Sequence, residues 1–420
     1  MKILDFFKGK ERVDKLIEEL QNPNEEKREE ALKAISEMEL TLTEGIKLLE
    51  ACKGEFPKSK YEWKDISSDL IAICAARPYG EYILKIENIY KDLNDNAKIA
   101  ALNFLASYDN EKALISYVKL LEKDYQKLMS LPVGNLNGNP RGIDILFPRI
   151  LKFADNKDIA VDIYMILLTC FNNGLIREEK IESSKAVIVQ DIVDMAHRII
   201  NYKFNEDDKS LWDNDDYLDL RYSAGVYFDL GGYINDPEVI LSLRGLMKIK
   251  DMRLKMFAGV SLIKLGENLS EEDALEIAGD NETRNWFYIN LKGLDKLEVY
   301  PEKYNTQSFF AESNMVDWLV YPTELGRVPD EIELMNVFTD GDDEYYLFRF
   351  RCENEEDPEE SKWMAGLSGP FNTSEGATTS AGGYTFSRFD KWEDKTPEEH
   401  MKSIVGNIGE FWKKRAEELE

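Results

Sequence analysis

Between residue 10 and about residue 300, apolar positions recur at helical spacing and are broken only by short polar stretches. Val13, Leu16, Ile17 and Leu20 fall at i, i+3, i+4 and i+7, which draws one apolar stripe along a helix. Leu254, Phe257, Ala258, Ser261, Leu262 and Leu265 repeat that geometry far along the chain. Stripes this narrow must be hidden on neighbouring helices, and short connections make those neighbours consecutive in sequence. Past this region the period changes from helical to alternating. Ile332 to Thr339 and Glu344 to Cys352 flank Asp340-Gly341-Asp342-Asp343, which predicts a β-hairpin. In its second strand Tyr346, Phe348, Phe350 and Cys352 point to one face, and Tyr345, Leu347, Arg349 and Arg351 to the other. Further short strands are expected at Trp363 to Leu367 and at Tyr384 to Phe389, with a Gly-, Ser- and Thr-rich mobile loop over 366–383. Thr396, Pro397 and Glu399 then spell the start of a capped helix. Its stripe of Met401, Ile404, Val405, Ile408, Phe411 and Trp412 should cover a sheet face. The pattern thus predicts a mainly α chain with two domains: a helical-repeat domain over 1–312, and a small acidic α+β domain over 313–420.

Within the helical region a short motif recurs, in which a basic residue is followed by Ala three positions on and a large apolar residue seven positions on. It reads Arg28, Ala31, Ile35; Lys98, Ala101, Leu105; Arg221, Ala224, Phe228; and Lys255, Ala258, Leu262. Asn24, Asn94 and Asp251 stand four residues before three of these, where helix caps are expected. Ala lets two helices approach closely, the apolar residue fills the groove one turn later, and the basic side chain meets a polar end of the adjacent unit. The motif resembles the HEAT/armadillo class of helical repeats. Arg28 and Lys98 lie about two such periods apart, and Arg221 and Lys255 about one. The resemblance covers about residues 10–300 and implies a degenerate HEAT-like α-α solenoid of about six to eight helix pairs. It also implies a scaffold that binds proteins, and sometimes nucleic acids, along a concave face.

Two stretches interrupt the helices. Leu131 to Pro148 carries Pro132, Gly134, Gly138, Pro140, Gly142 and Pro148, which no helix accommodates. Such a loop reads either as a solvated insertion or as a functional element. Asn205 to Asp219 holds an acidic cluster that includes Asp213, Asp215, Asp216 and Asp219. It lacks the spacing of a calcium loop, and acidic residues near a helix start are expected in any case, so no metal is assigned to it.

Charge narrows the choice of partner. The 420 residues carry 53 basic and 81 acidic side chains, a net charge of −28. Residues 315–420 alone hold 25 acidic and 11 basic side chains. Such a field repels phosphate backbones and anionic membranes, so neither nucleic acid nor membrane is expected as a partner, and a basic protein is favoured. Cys52, Cys74, Cys170 and Cys352 are dispersed, with no spacing for zinc or a redox dithiol. No signal-peptide pattern opens the chain and no apolar run spans a bilayer, so a cytoplasmic protein is expected.

Chemistry-bearing motifs are sparse. His197 and His400 are the two histidines; His197 is expected to be partly buried on its helix and His400 to be solvated. No Gly-rich phosphate loop is present, and no catalytic residue or cofactor is assigned. The segment Trp318 to Leu334 offers Trp318 and Tyr321 as large amphipathic anchors, ringed by Glu324, Arg327, Asp330 and Glu331, with Trp363 nearby in the same domain. It reads as an ordered connector or as a recognition surface for a partner. The leading expectation is a non-enzymatic protein-binding scaffold or inhibitor, of which an immunity or antitoxin protein against a basic toxin is one concrete form. The alternative is an enzyme or small-ligand protein with its site in the C-terminal domain, around Trp318, Glu324, Arg349, Arg351 and Trp363.

Overall fold

The computed structural model describes residues 11–61, 64–134, 136, 142–204, 211–321, 325–353, 361–372, 374, 376–377 and 383–419. Within the expected loop at 131–148, positions 135 and 137–141 lie outside these residues, and Ile143–Leu146 forms a short helix where a loop is expected, begun just after Gly142 and ended before Pro148. The chain forms two compact units, which divide between Ile188 and Val189.

The first unit contains α1 (Glu11–Glu19), α2 (Glu25–Ser36), α3 (Leu42–Ala51), α4 (Ile66–Ala75), α5 (Glu81–Ile89), α6 (Asp95–Ser107), α7 (Glu111–Asp124), α8 (Ile143–Leu146) and α9 (Lys157–Asn172). Alternate helices stack. One row runs α2, α4, α6 and a second runs α3, α5, α7, with α3 on α4 and α6 on α7 tying the rows together. The recurrent motif accounts for this packing. Ala31 and Ala101 are buried, as are Ile35 and Leu105 one turn on. Arg28 donates to the carbonyls of Asn22 at 2.9 Å and Pro23 at 3.0 Å, and reaches Lys58 O at 3.3 Å. Lys98 Nζ stands 3.4 Å from Asp124. The caps behave as their types require: Asn24 accepts from Glu26 N at 2.9 Å and Asn94 from Ala97 N at 2.8 Å. Gly45 on α3 leaves room for the buried Tyr82 of α5, whose hydroxyl a Cβ at this position would overlap.

Helix α10 (Lys185–Ile200) carries the division between the units. His197 on this helix is exposed, contrary to expectation. The buried stripe is Ile188, Ile192, Met195, Ala196 and Ile199, whereas Ile200 is exposed. Apolar residues occur on more than one side of α10, so spacing alone left its rotation open.

The second unit continues with α11 (Asp215–Gly231), α12 (Pro237–Leu246), α13 (Met252–Lys264), α14 (Glu271–Gly279), α15 (Arg284–Gly293) and α16 (Gln307–Val320). Helix α13 packs on both α11 and α15, and α12 and α14 fill in beside it. Ala224, Phe228, Ala258 and Leu262 are buried at the α11–α13 contact, which Ser261 Oγ locks by donating to Phe228 O at 2.7 Å.

Four strands follow: β1 (Glu331–Asp340), β2 (Asp343–Arg351), β3 (Met364–Asn372) and β4 (Gly383–Lys391), then α17 (Pro397–Leu419). The sheet is antiparallel in the order β1-β2-β3-β4, with Ile332 opposite Phe350 and Leu347 opposite Leu367. Both faces are covered. Ala311, Met315 and Leu319 of α16 meet Tyr346, Phe348, Phe350 and Phe371 on one side. Ile404 of α17 meets Leu347 and Leu367 on the other. The fold is therefore mainly α with a small antiparallel sheet and helix at its C-terminal end, the class the periodicity predicts.

Two expectations in this region are corrected. The composition predicts a mobile loop over 366–383, but residues 366–372 continue β3, because β2 and β4 pair with it on both edges and outweigh weak local strand propensity. His400, expected to be solvated, is fully buried. Its Nδ1 lies 3.3 Å from Asp390 Oδ1, its Nε2 lies 3.1 Å from Trp392 O, and its ring stacks on Trp392. The first turn of α17 sits against the turn that follows β4, a contact no local signal announces.

Candidate functional site

The N-terminal ends of α11, α13 and α15 carry a buried ion network. Asn214 caps α11 by accepting from Tyr217 N at 2.9 Å, which sets the turn that carries Arg221 inward. Asp251 caps α13 through Leu254 N at 3.1 Å. Its carboxylate also accepts from Arg221 Nε at 2.7 Å and from the Tyr217 hydroxyl at 2.9 Å. Just ahead of α15, Glu282 takes the other side of the same guanidinium, at 2.9 and 2.6 Å. Arg221 is thus clamped between two carboxylates, with Trp212 beneath its plane at 5.1 Å.

The network leads outward. Tyr321, at the end of α16, donates its hydroxyl to Glu282 at 2.8 Å, and Arg253 reaches the same oxygen at 3.4 Å while lying 4.5 Å over the Tyr321 ring. One turn earlier on α16, Asp317 accepts from Trp286 Nε1 at 3.0 Å. Trp286, Trp318 and Tyr321 remain 41%, 42% and 48% exposed. Large aromatic rings therefore stand in solvent above a base in which each charge has a partner.

Burial works against the charges of Arg221, Arg253, Glu282 and Asp317. It pulls Arg221 down, but Asp251 and Glu282 together outweigh it and hold the guanidinium more firmly protonated than usual. Burial pushes Glu282 up against the opposing pull of Arg221, and raises Asp317 despite its bond from Trp286. Arg253 moves down, because its burial exceeds the help it receives from Glu282. Removing one member of such a cluster leaves an uncompensated buried charge, which costs about 3–5 kcal/mol. Its loss would loosen three helix starts at once.

The residues singled out in the sequence separate into groups. Trp318 and Tyr321 join the exposed aromatic surface, whereas Glu324 lies outside the described residues. Arg327 and Asp330 pair with each other at 3.3 Å. Glu331 pairs with Arg351, and Trp363 lies under both Arg349 and Arg351, with ring centroids 4.3 and 5.0 Å away. In the acidic cluster, Asp215, Asp216 and Asp219 are exposed near the start of α11, where the helix dipole favours them. Asp213 falls in the turn Leu211–Asp213, and its side chain lies outside the described residues. Among the described residues no group of three or more His, Cys, Asp or Glu could hold a metal ion. All four cysteines are buried thiols; burial raises Cys170 to about 11 and Cys74 to about 12, which leaves them poor nucleophiles. Arg253, Glu282 and Trp286 were missed by sequence reasoning, although Arg221 and Asp251 were both marked by the repeat, one period apart.

The first unit has a different feature. A cleft of about 570 Å³ opens beside the starts of α2 and α4, lined by Arg28, Phe56, Lys58, Lys60, Tyr61 and Asp69 among others. Lys64 closes part of it by pairing with Glu29 at 2.6 Å. No helix among the described residues is long and apolar enough to cross a membrane. Compared with protein-family models, curated proteins and solved structures, the chain matches none.

Proposed function

We propose that the chain is a non-enzymatic, HEAT-like protein-binding scaffold that acts in the cytoplasm on a basic protein partner. The single observation that carries this reading is the exposure of Trp286, Trp318 and Tyr321 over the clamped Arg221 network. Aromatic anchors on a rigid base lose little conformational freedom on binding, which is the usual chemistry of an interface hot spot. The net charge of −28 supports a basic partner through steering and adds specificity against acidic ones. A protein of this kind would serve as an inhibitor, for instance an immunity or antitoxin protein that covers a basic toxin, and would need neither nucleic acid nor cofactor.

The test is co-purification from native lysate at low and at raised salt, followed by mass spectrometry, with Trp286→Ala/Trp318→Ala in parallel. A specific protein should be retained by the unmodified chain, be lost from the double variant, and elute as salt rises. Recovery of no protein, or retention indifferent to both salt and the variant, defeats the reading.

The cleft beside α2 and α4 supports a second reading, a small-ligand protein, because its volume falls within the ~300–1,000 Å³ of ligand sites. Its wall of paired charges is less apolar than such sites usually are, so it ranks second. Thermal-shift screening with small charged metabolites tests it; stabilisation abolished by Lys60→Ala would favour it.

A further inference from the structure

We propose that β1 is a docking strand that takes up an extended, basic segment of a partner protein as a fifth strand of the sheet. The order β1-β2-β3-β4 leaves β1 with β2 as its sole strand neighbour among the described residues, so one edge of its ten-residue backbone is open. Leu334, Met335 and Val337 lie along it at 40%, 36% and 40% exposure. Helix α16 packs mainly on β2 and β3 and its cluster takes in Ile332 of β1, whereas Leu334 and Val337 farther along the strand stay exposed. Edges of this length are normally guarded by Lys, Pro, inward charges or bulges that stop another strand from adding, and of these β1 carries a bulge after Leu334. Between Glu331 and Asp340 there is neither Lys, Arg nor Pro; the ionisable residues are Glu331, Glu333 and Asp340.

The edge has internal structure that an occupant must follow. A bulge between Leu334 and Asn336 divides it, and Asn336 Oδ1 accepts from Val337 N at 2.9 Å, which removes that amide from the ladder. Two stretches remain, 331–334 and 336–340, for main-chain pairing. Charge selects the occupant. Glu331 and Glu333 pair with Arg351 and Arg349 on β2, so selection falls to Asp340, to Asp342 in the adjoining turn and Asp343 at the start of β2, and to the net charge of −28, which disfavours a second copy of the chain. A strand alternating basic and β-branched residues would meet opposite charge and apolar contact together, in the mode by which peptides add to sheet edges. This site is separate from the aromatic surface, so either can fail alone.

The test is hydrogen–deuterium exchange on the full chain with a synthetic ten-residue peptide of alternating Lys and Val, and with an alternating Glu and Val peptide as control. With the Lys/Val peptide, exchange across 331–340 should slow by about threefold or more, a readily measured protection, while the Glu/Val peptide leaves it unchanged. Leu334→Lys/Val337→Lys, which restores edge guards, should abolish that protection at an unchanged Tm. No slowing at β1, equal slowing by both peptides, or full protection in the folded double variant overturns the proposal. So does a homodimer in light scattering that the double variant dissolves. The two-peptide comparison on the unmodified chain decides the question if the variant does not fold.

Discussion

Arg221 shows how much a single side chain carries. Its guanidinium bridges two carboxylates that begin two different helices, so its loss removes the shared cation that both face. Arg221→Met should destabilise the chain by about 3–5 kcal/mol in urea unfolding; a change within about 0.5 kcal/mol, the scale of an ordinary surface substitution, would show that the cluster is neutral to stability. Gly45→Ala acts through volume instead. The added methyl meets the hydroxyl of the rigid, buried Tyr82, and a loss of about 1–3 kcal/mol is expected from overpacking. Asp317 gives a pH signature. Burial raises its folded pKa above the ordinary 3.8, so the folded state holds this proton more tightly than the unfolded state does. Its contribution is fully present below the unfolded value and is lost as pH rises through the folded one. Asp317→Asn should therefore flatten the decline in stability above pH 3.8, while keeping an acceptor for Trp286. Unfolding curves for both chains at a series of pH values check this, and identical pH slopes would contradict it.

At the scale of elements, caps do more than end helices. Asn156 starts α9 by accepting from Asp158 N at 3.0 Å, and its amide donates to Tyr125 O at 2.6 Å and Leu128 O at 3.0 Å beyond the end of α7. Asn156→Ala removes a cap and the donor to the buried Leu128 O, while Tyr125 O keeps Leu128 N, so a loss of about 1–3 kcal/mol is expected by denaturant titration. Exchange protection should fall first at the start of α9 and around 125–128. The helix starts, the hairpin turn and the alternation of β2 were legible in the sequence, since each depends on residues within a few positions of one another. The phase of α10, the extension of β3 and the burial of His400 were not, because each is set by a partner distant in sequence or by a second element packed on the first.

For the molecule as a whole, charge is the long-range term. A net charge of −28 opposes the compact state by self-repulsion, and added salt screens it. The Tm should rise between low ionic strength and about 0.3 M NaCl, where the Debye length is well below 10 Å. A flat or falling Tm in a salt series would show that the paired surface charges already balance the field. The proposed binding modes share this dependence, so partner affinity and chain stability should respond to salt in opposite directions.

Periodicity, caps and turn residues determined by themselves that this chain is mainly α, that an antiparallel sheet and a helix follow, and that Arg221 and Asp251 hold repeated positions. These are short-range matters of backbone geometry and of which side of an element is apolar. Only the tertiary structure decided that Arg221 closes on Asp251 and Glu282, 30 and 61 residues away. It likewise left Trp286, Trp318 and Tyr321 part-exposed while burying His400, and it covered Ile332 of β1 while leaving Leu334 and Val337 exposed. Burial and charge pairing depend on what each face meets in space, and sequence spacing carries that information only where a repeat happens to bring the partners together.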